Sequence, residues 1–379
     1  MGAEVEPLWA AVSQQCEMIT QFISSSDPRW RRLMDRVAHD AYQLPEYAVV
    51  SGKTEGGKPV AFYAQDGEHA VLVPLLVRNV PKELSTRENR SDATSPYGYA
   101  GPVVTPAIPP ETLRYALTRF CETAREHAIV SAFIRLHPLR SVPVRVFREF
   151  GTVVKQGSIS YIDLSKSLDE LWLETRPNHR RDITRLLRTG YSVDMDDWSA
   201  YPAFRLIYRM TMRRRSAKMA YYFSDAYFNE LRERFADHLH LCIVRAPDGE
   251  VAAAGLFMSA NDIVDYHLGG TAAQYLPHAP SKLMVDFARR WAKARGASIL
   301  NLGGGLGESP SSLEHFKKGF SHTHVDRFTA RFVFDHESYS QLTALSRDLG
   351  PVDNAPNAFF PAYRQWAERP RRHDVSEPG

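Results

Sequence analysis

Cysteine is scarce in this chain. Three residues, Cys16, Cys121 and Cys242, are spread over 379 positions with no CxxC pair, which argues against a disulfide framework or a zinc site and fits a reducing compartment. Also missing is any apolar run near eighteen residues, so no integral membrane segment is expected. The N-terminus has no charged-then-apolar leader, and Met1-Gly2 is followed by AEVE, without the hydroxyl residue of a myristoylation signal. A cytoplasmic location is the expectation. Neither charge sign dominates: 47 Lys and Arg against 44 Asp and Glu leave a formal net charge of +3, which neither demands nor forbids a nucleic-acid partner. With 44% hydrophobic and 24% charged residues the composition is that of a soluble globular protein. The length suits two domains of roughly 150 to 200 residues.

What is present alternates between helical and strand patterns. In the first half, PRWRRLMDRVAHDAYQLPEYAVV reads as helix, SGKTEGGKP as a turn, and VAFYA with AVLVPLLVRN as a hairpin. A Pro- and Tyr-rich loop, SDATSPYGYAGPVVTPAIPP, leads to a helix from about Glu111 to His127 and the strand SAFIRLHPL. After the strand SISYIDLS, the second half opens with SLDELWLETRPNHRRDITRLLRTGYSVDM, two short helices and a strand, and continues into the helix YPAFRLIYRMTMRRRSAK. Asp248-Gly249 and Asn261-Asp262 separate LHLCIVRA, EVAAAGLFMSA and DIVDYHLGGT, and these hairpin signals predict an antiparallel meander. Beyond AAQYLPHAP, the segment SKLMVDFARRWAKARG puts Leu283, Met284, Phe287 and Trp291 on one helical face, with Gly296 to close it. The strand ASILNLGG, a short helix and a last strand DRFTARFVF follow. This order predicts an α/β fold on a mixed sheet, not an all-parallel one.

DYHLGGT, the long helix, ILNLGGG and SLEHFKKGFS, in that order, resemble the second domain of the FemABX-like aminoacyltransferases, which are tandems of the GNAT acetyltransferase fold. SPYGYAGPVV is similar to the acceptor-facing segment of the family's first domain, FIRLHPL to the strand after it, and RPNHRRDITRLLRTGYSV to the basic helix that opens the second. No heptad insertion is visible, so the coiled-coil arm of some members is missing. The resemblance implies an extension at 1–27, a first GNAT-like domain on the acceptor side at 28–160, a second GNAT-like domain on the donor and catalytic side at 161–345, and a tail at 346–379. It also implies transfer of an activated carboxyl group to an amine without a bound cofactor. Aminoacyl-tRNA is then the co-substrate, and the acceptor amine belongs to a peptidoglycan precursor or a small metabolite. Acetyl- or acyl-coenzyme A is the alternative donor, and a non-catalytic tRNA- or nucleotide-binding relative is the alternative class.

Candidate residues follow from this frame. In acetyl-coenzyme A enzymes of this fold, a Gly-rich turn before the long helix offers N–H groups to the pyrophosphate. Here QYLPHAPSK carries Pro277 and Pro280, each without an N–H, which argues against that donor. Arg181, Arg185 and Arg188, at i, i+4 and i+7, share one helical face, with Arg176 and Arg180 just before it. Such a face clamps phosphates, or is simply solvated. Gly303, Gly304 and Gly305 let a ligand approach the strand end with no Cβ in the way; a tight turn is the competing reading. In the family, a Phe-Lys pair at the place of Phe316-Lys317 lies by the donor ester, where an ammonium can stabilise a tetrahedral oxyanion. Tyr97 and Tyr99 belong to the acceptor-side loop. A base can come from Asp92 near that loop, or from Asp265 and His267, which share one strand face; a hydrogen-bonded core histidine is the competing reading for His267. No metal site is expected.

Overall fold

The computed structural model describes residues 18–84, 89–140, 142–304, 312–353, 355 and 358–368. In the first half, β1 (Ile19–Ser24) pairs antiparallel with β2 (Lys58–Asp66), which turns at Gly67 into β3 (His69–Asn79). Between β1 and β2 run α1 (Pro28–Met34), N-capped by the Asp27 carboxylate, and α2 (Pro45–Glu55). The short β4 (Ser91–Thr94) and β5 (Val103–Val104) both pair with β3. They are followed by α3 (Pro110–Glu126), β6 (Ile129–Arg135), α4 (Val144–Phe150) and the twelve-residue β7 (Thr152–Asp163).

The second half comprises α5 (Leu168–Glu174), α6 (Pro177–Arg188), β8 (Ser192–Met195), α7 (Tyr201–Arg214) and α8 (Asp225–Arg234). The meander β9 (Leu239–Arg245), β10 (Val251–Ala260) and β11 (Ile263–Thr271) comes next, turning at Gly249 (φ +86°) and Asn261 (φ +50°) as the hairpin signals predict. Then come α9 (Ser281–Ala294), closed by Gly296 at φ +83°, β12 (Ile299–Gly304), α10 (Ser312–Lys317), β13 (His324–Val333) and α11 (His336–Arg347). None of the described helices is long and apolar enough to cross a membrane.

The described strands form one mixed sheet in the order β1-β2-β3-β4-β6-β13-β7-β12-β11-β10-β9-β8, with β5 beside β3. Helices cover both faces, which is why β10 reads as a nearly unbroken apolar run. The two halves are joined twice. β13 lies between β6 and β7, antiparallel to both, so a strand late in the chain completes the first half's sheet. On one face an aromatic-rich core, with Trp30, Tyr42, Tyr47, Phe204, Tyr208 and Phe228, packs α1 and α2 against α7, α8 and the meander. The other face carries separate cores under α3 and α4 in the first half and under α5, α6 and α9 in the second.

The expectations need local correction. Ser51 to Glu55, read as part of a turn, continue α2, and the chain breaks only at Gly56 (φ +74°). Ser51 and Gly52 are buried there, so packing overrides their weak helix propensity. Residues 1–27, set apart as an extension, contain the sheet-edge strand β1. Within the stretch called a tail, Tyr363 is fully buried and bonds Ser131.

Candidate functional site

β12 does not run straight to its end. Against β7, Asn301 pairs with Tyr161 and Gly303 with Ser160, so Leu302 is an extra residue and the strand bulges. The bulge is held by Asn301, whose carbonyl oxygen accepts the Gly303 N–H at 2.8 Å while its amide donates to Asp265 Oδ1 at 2.7 Å. Gly303 adopts φ +75°, a conformation costly for other residues. A Cβ placed on it would lie 3.3 Å from Tyr99 Oη and 3.4 Å from Lys317 Nζ. The bare backbone therefore faces a hydroxyl and an amine.

Lys317 ends α10 with 7% of its surface exposed and donates to the Gly304 carbonyl at 2.7 Å. Burial, and then the Arg327 guanidinium beside it, push its pKa down to about 7. Arg327, on β13, sits 3.9 Å from where a Gly304 Cβ would be, donates to the Gln156 carbonyl at 2.8 Å, and keeps a buried Nε without a partner. Burial pushes the Tyr99 hydroxyl up to about 12. Two cationic side chains and a phenol thus converge on the strand end. Gly305 lies outside the described residues.

Behind the bulge is a buried acid pair. His137 Nδ1 accepts the N–H groups of Leu139 and Arg140 at 3.0 and 2.9 Å, so its proton is on Nε2 and is donated to Asp40 Oδ2 at 2.6 Å. Burial is the largest influence and opposes charge on Asp40, but this bond and the further hydrogen bonds to the carboxyl, that of the Tyr42 N–H among them, together outweigh it and hold the carboxyl below the usual range. Burial and the adjacent Asp40 charge push Asp265 well above it. Asp265 is thereby biased toward its protonated form beside Asp40, and its buried Oδ2 has no hydrogen-bond partner among the described residues. A carboxyl pushed toward its protonated form is a poor general base; this one accepts from Asn301 and anchors it.

His267 and Asp92 are also recast. The two ring nitrogens of His267 meet Tyr42 Oη at 3.0 Å and Tyr227 Oη at 2.8 Å, and burial pushes its pKa down to about 3. It is a neutral link between tyrosines, the core histidine of the competing reading. Asp92 is fully buried on β4, where Arg78 (2.7 Å) and Arg364 pair with it and the Tyr363 hydroxyl donates at 3.3 Å. That ion pair pins the returning C-terminal segment and takes Asp92 out of contention as a base. Tyr97 and Tyr99 flank Gly98 (φ +89°), whose missing Cβ makes room for the Tyr42 ring. Tyr99 turns to Lys317, whereas Tyr97 packs on Tyr221 and Phe223 and its N–H meets Glu55 Oε1 at 2.7 Å.

Phe316 packs against His179 and Phe320, with ring centroids 5.7 and 5.4 Å away, so it anchors α10 and points away from the strand end that Lys317 meets. The same contact docks α6, because His179 lies where any Cβ on Gly319 would be, 2.0 Å from its ring. The Arg176 N–H donates to the Gly319 carbonyl at 2.8 Å and its guanidinium bonds His315, which sets it apart from the other arginines. Arg181, Arg185 and Arg188 are exposed and, with Arg180, Thr184 and Trp172, line an open groove of about 530 Å³. Before α9, residues Ala273–His278 form a 3-10 turn whose following N–H groups, of Ala279 and Lys282, bond Leu276 and Ala279 carbonyls at 3.1 and 3.0 Å. Arg327, Asn301, Asp40 and His137 had no sequence signal: they come together only when β13 and the two halves pair.

Residues 174–318 match a family model described as an acetyltransferase (GNAT) domain. No curated protein matches in sequence. The structure of FemX superposes with a TM-score of 0.69 at 14% identity, covering 85% of this chain and 99% of that one. The C-terminal domain of a protein named as a lysylphosphatidylglycerol synthetase from Agrobacterium fabrum gives 0.54 at 14% identity, covering 85% and 96%. L-PGS from Bacillus licheniformis gives 0.52 at 14% identity, covering 78% and 93%. The chain thus has the FemABX-like fold of tandem GNAT-type halves, and its residues 174–318 match the GNAT domain model.

Proposed function

We propose that this chain forms amides by moving an aminoacyl group from aminoacyl-tRNA to an amine, borne by a cell-wall precursor or a small metabolite, in the cytoplasm. The observation that carries this reading is the buried Lys317 amine against the bare Gly303-Gly304 backbone, flanked by Tyr99 and Arg327. An ester carbonyl laid there meets the groups its transition state needs. The acceptor nitrogen adds to the carbonyl carbon, and the oxyanion that forms is stabilised by the Lys317 ammonium and the permanent Arg327 charge. Collapse breaks the bond to the ribose oxygen, which takes up the proton released by the amine. No enzyme nucleophile is required, and burial raises the thiols of Cys121 and Cys242, so neither is a thiolate at neutral pH.

A coenzyme A donor is the second reading, favoured by the GNAT acetyltransferase match. Against it stand the two prolines and the inward-bonded N–H groups of the turn before α9, which leave few donors for a diphosphate. Mass spectrometry after incubation with a pool of charged tRNAs and candidate amines tests the proposal by reporting which amino acid moves and onto what. Calorimetry with acetyl-coenzyme A is the counter-test: saturable binding below millimolar concentration overturns the donor assignment.

A further inference from the structure

The groove along α6 does not end at its arginines. A second groove, of about 360 Å³, is lined by Tyr191, Tyr275, His278 and the Pro247-Asp248 turn, and Arg185 belongs to both. Together they form one track with an indole at one end, guanidinium groups in the middle, and phenol and imidazole rings at the other.

We infer that this track binds a single-stranded nucleic-acid segment, with bases against Trp172 and the Tyr191–His278 cluster and phosphates on Arg181, Arg185 and Arg188. Cations interleaved with ring faces are what a single strand requires, since stacking serves any base and the arginines follow the backbone. The far rings are poor at reading base edges. Tyr191 Oη is bonded to His278 Nδ1 at 2.5 Å and Tyr275 Oη to Asp248 at 2.6 Å, so they offer surface more than hydrogen-bonding groups. Little acid neutralises the arginines: Asp182 lies 3.1 Å from Arg185 but is shared with Lys282 at 2.6 Å.

Length and direction agree as well. The twelve residues of α6 span about 18 Å, room for a few nucleotides. The helix's other end is fastened to α10 through Arg176 and His179, so a strand laid along it runs toward the end of the helix that docks on α10, the helix Lys317 closes. That this strand is the 3′ end of the donor RNA rests on the reading proposed above. The affinity of the track for a single strand does not.

The experiment uses the full chain and an uncharged six-nucleotide RNA with a fluorophore on its 5′ end, with fluorescence anisotropy and salt titration as readouts. The single strand should bind, more tightly than a hairpin duplex or inorganic tripolyphosphate. Trp172→Ala should weaken binding roughly 5- to 100-fold at unchanged salt slope, and Trp172→Phe should recover most of it. Replacing Arg181, Arg185 and Arg188 with Gln should lower the salt slope by about 2. Thermal unfolding of each variant separates lost binding from lost fold. Equal affinity for tripolyphosphate or the duplex, or single-strand binding that neither set of variants alters, overturns the inference. Aminoacyl transfer from charged tRNA without oligonucleotide binding overturns the track alone. Oligonucleotide binding on the track with no transfer from any charged tRNA supports the track and overturns the donor reading.

Discussion

In the proposed reaction Lys317 is the residue on which the chemistry turns. Lys317→Met keeps most of the stem's packing and removes the charge, so turnover should fall roughly 10²- to 10³-fold. Lys318→Met should do little, because Lys318 is half-exposed and pairs with Glu314 at 2.6 Å on the surface. A Lys317 pKa near 7 sets a sign. The ammonium is present below that pH, so kcat/KM should decline as pH rises through about 7, and this limb should vanish in Lys317→Met. Stability moves the other way. Between about 7 and the unfolded value near 10.4 the unfolded chain binds a proton the native one lacks, so stability should rise with pH by about 1.4 kcal/mol per unit, a slope lost in Lys317→Met. Asp265 separates a structural from a catalytic carboxyl. Asp265→Asn reproduces a neutral acid, accepting from Asn301 and donating to Asp40, so turnover should stay within a few-fold. If Asp265 were a general base, the same change would abolish activity. Asp265→Leu orphans Asn301 and should cost about 3 kcal/mol in chemical denaturation. The Phe316-Lys317 pair was legible in the sequence. The lowered pKa was not, because burial and Arg327 both arise from distant pairing.

At the scale of elements, two glycines set close approaches: Gly303 where the bulged end of β12 meets Lys317 of α10, and Gly319 where the segment after α10 meets α6. Gly303→Ala combines a positive φ with a Cβ aimed at Tyr99 and Lys317. It should cost about 1 to 2 kcal/mol of stability and a larger share of activity, since the methyl fills the space a carbonyl would occupy. Gly319→Ala collides with His179, which must move and take α6 with it. Calorimetry should show a drop of about 1 to 3 kcal/mol, and binding of the donor should weaken, because the helix carrying the arginine face shifts. Gly303 stood out in the sequence as part of a glycine run, but that it faces a hydroxyl and an amine, and that Gly319 meets the His179 ring, depended on elements packed from elsewhere. The basic face of α6 was legible from its i, i+4, i+7 spacing. Trp172, on the preceding helix, joined it only in three dimensions.

At the scale of the whole molecule, the described strands form a single sheet that runs through both halves. Because β13 bonds β6 on one side and β7 on the other, a fragment of residues 161–345 lacks β6 and most of β7. Such a fragment should fail to give native dispersion in NMR spectra, whereas the full chain should unfold in one cooperative transition by both fluorescence and circular dichroism. Two separate transitions would restore the halves as autonomous units. The sequence by itself determined the local elements: the meander, because Asp248-Gly249 and Asn261-Asp262 specify tight turns; the long α9, because its apolar face repeats at helical spacing; and the place of Lys317 after a glycine-rich strand. These depend on neighbours within a few residues. Tertiary structure alone decided that β13 crosses into the first half, that His267 and Asp92 are bound up in the core, that Asp40 and Asp265 are buried side by side with their acidities pushed apart, and that Arg327 stands beside Lys317. Each of those outcomes rests on desolvation and on contacts between groups tens to hundreds of residues apart, and a pattern read along the chain carries no measure of either.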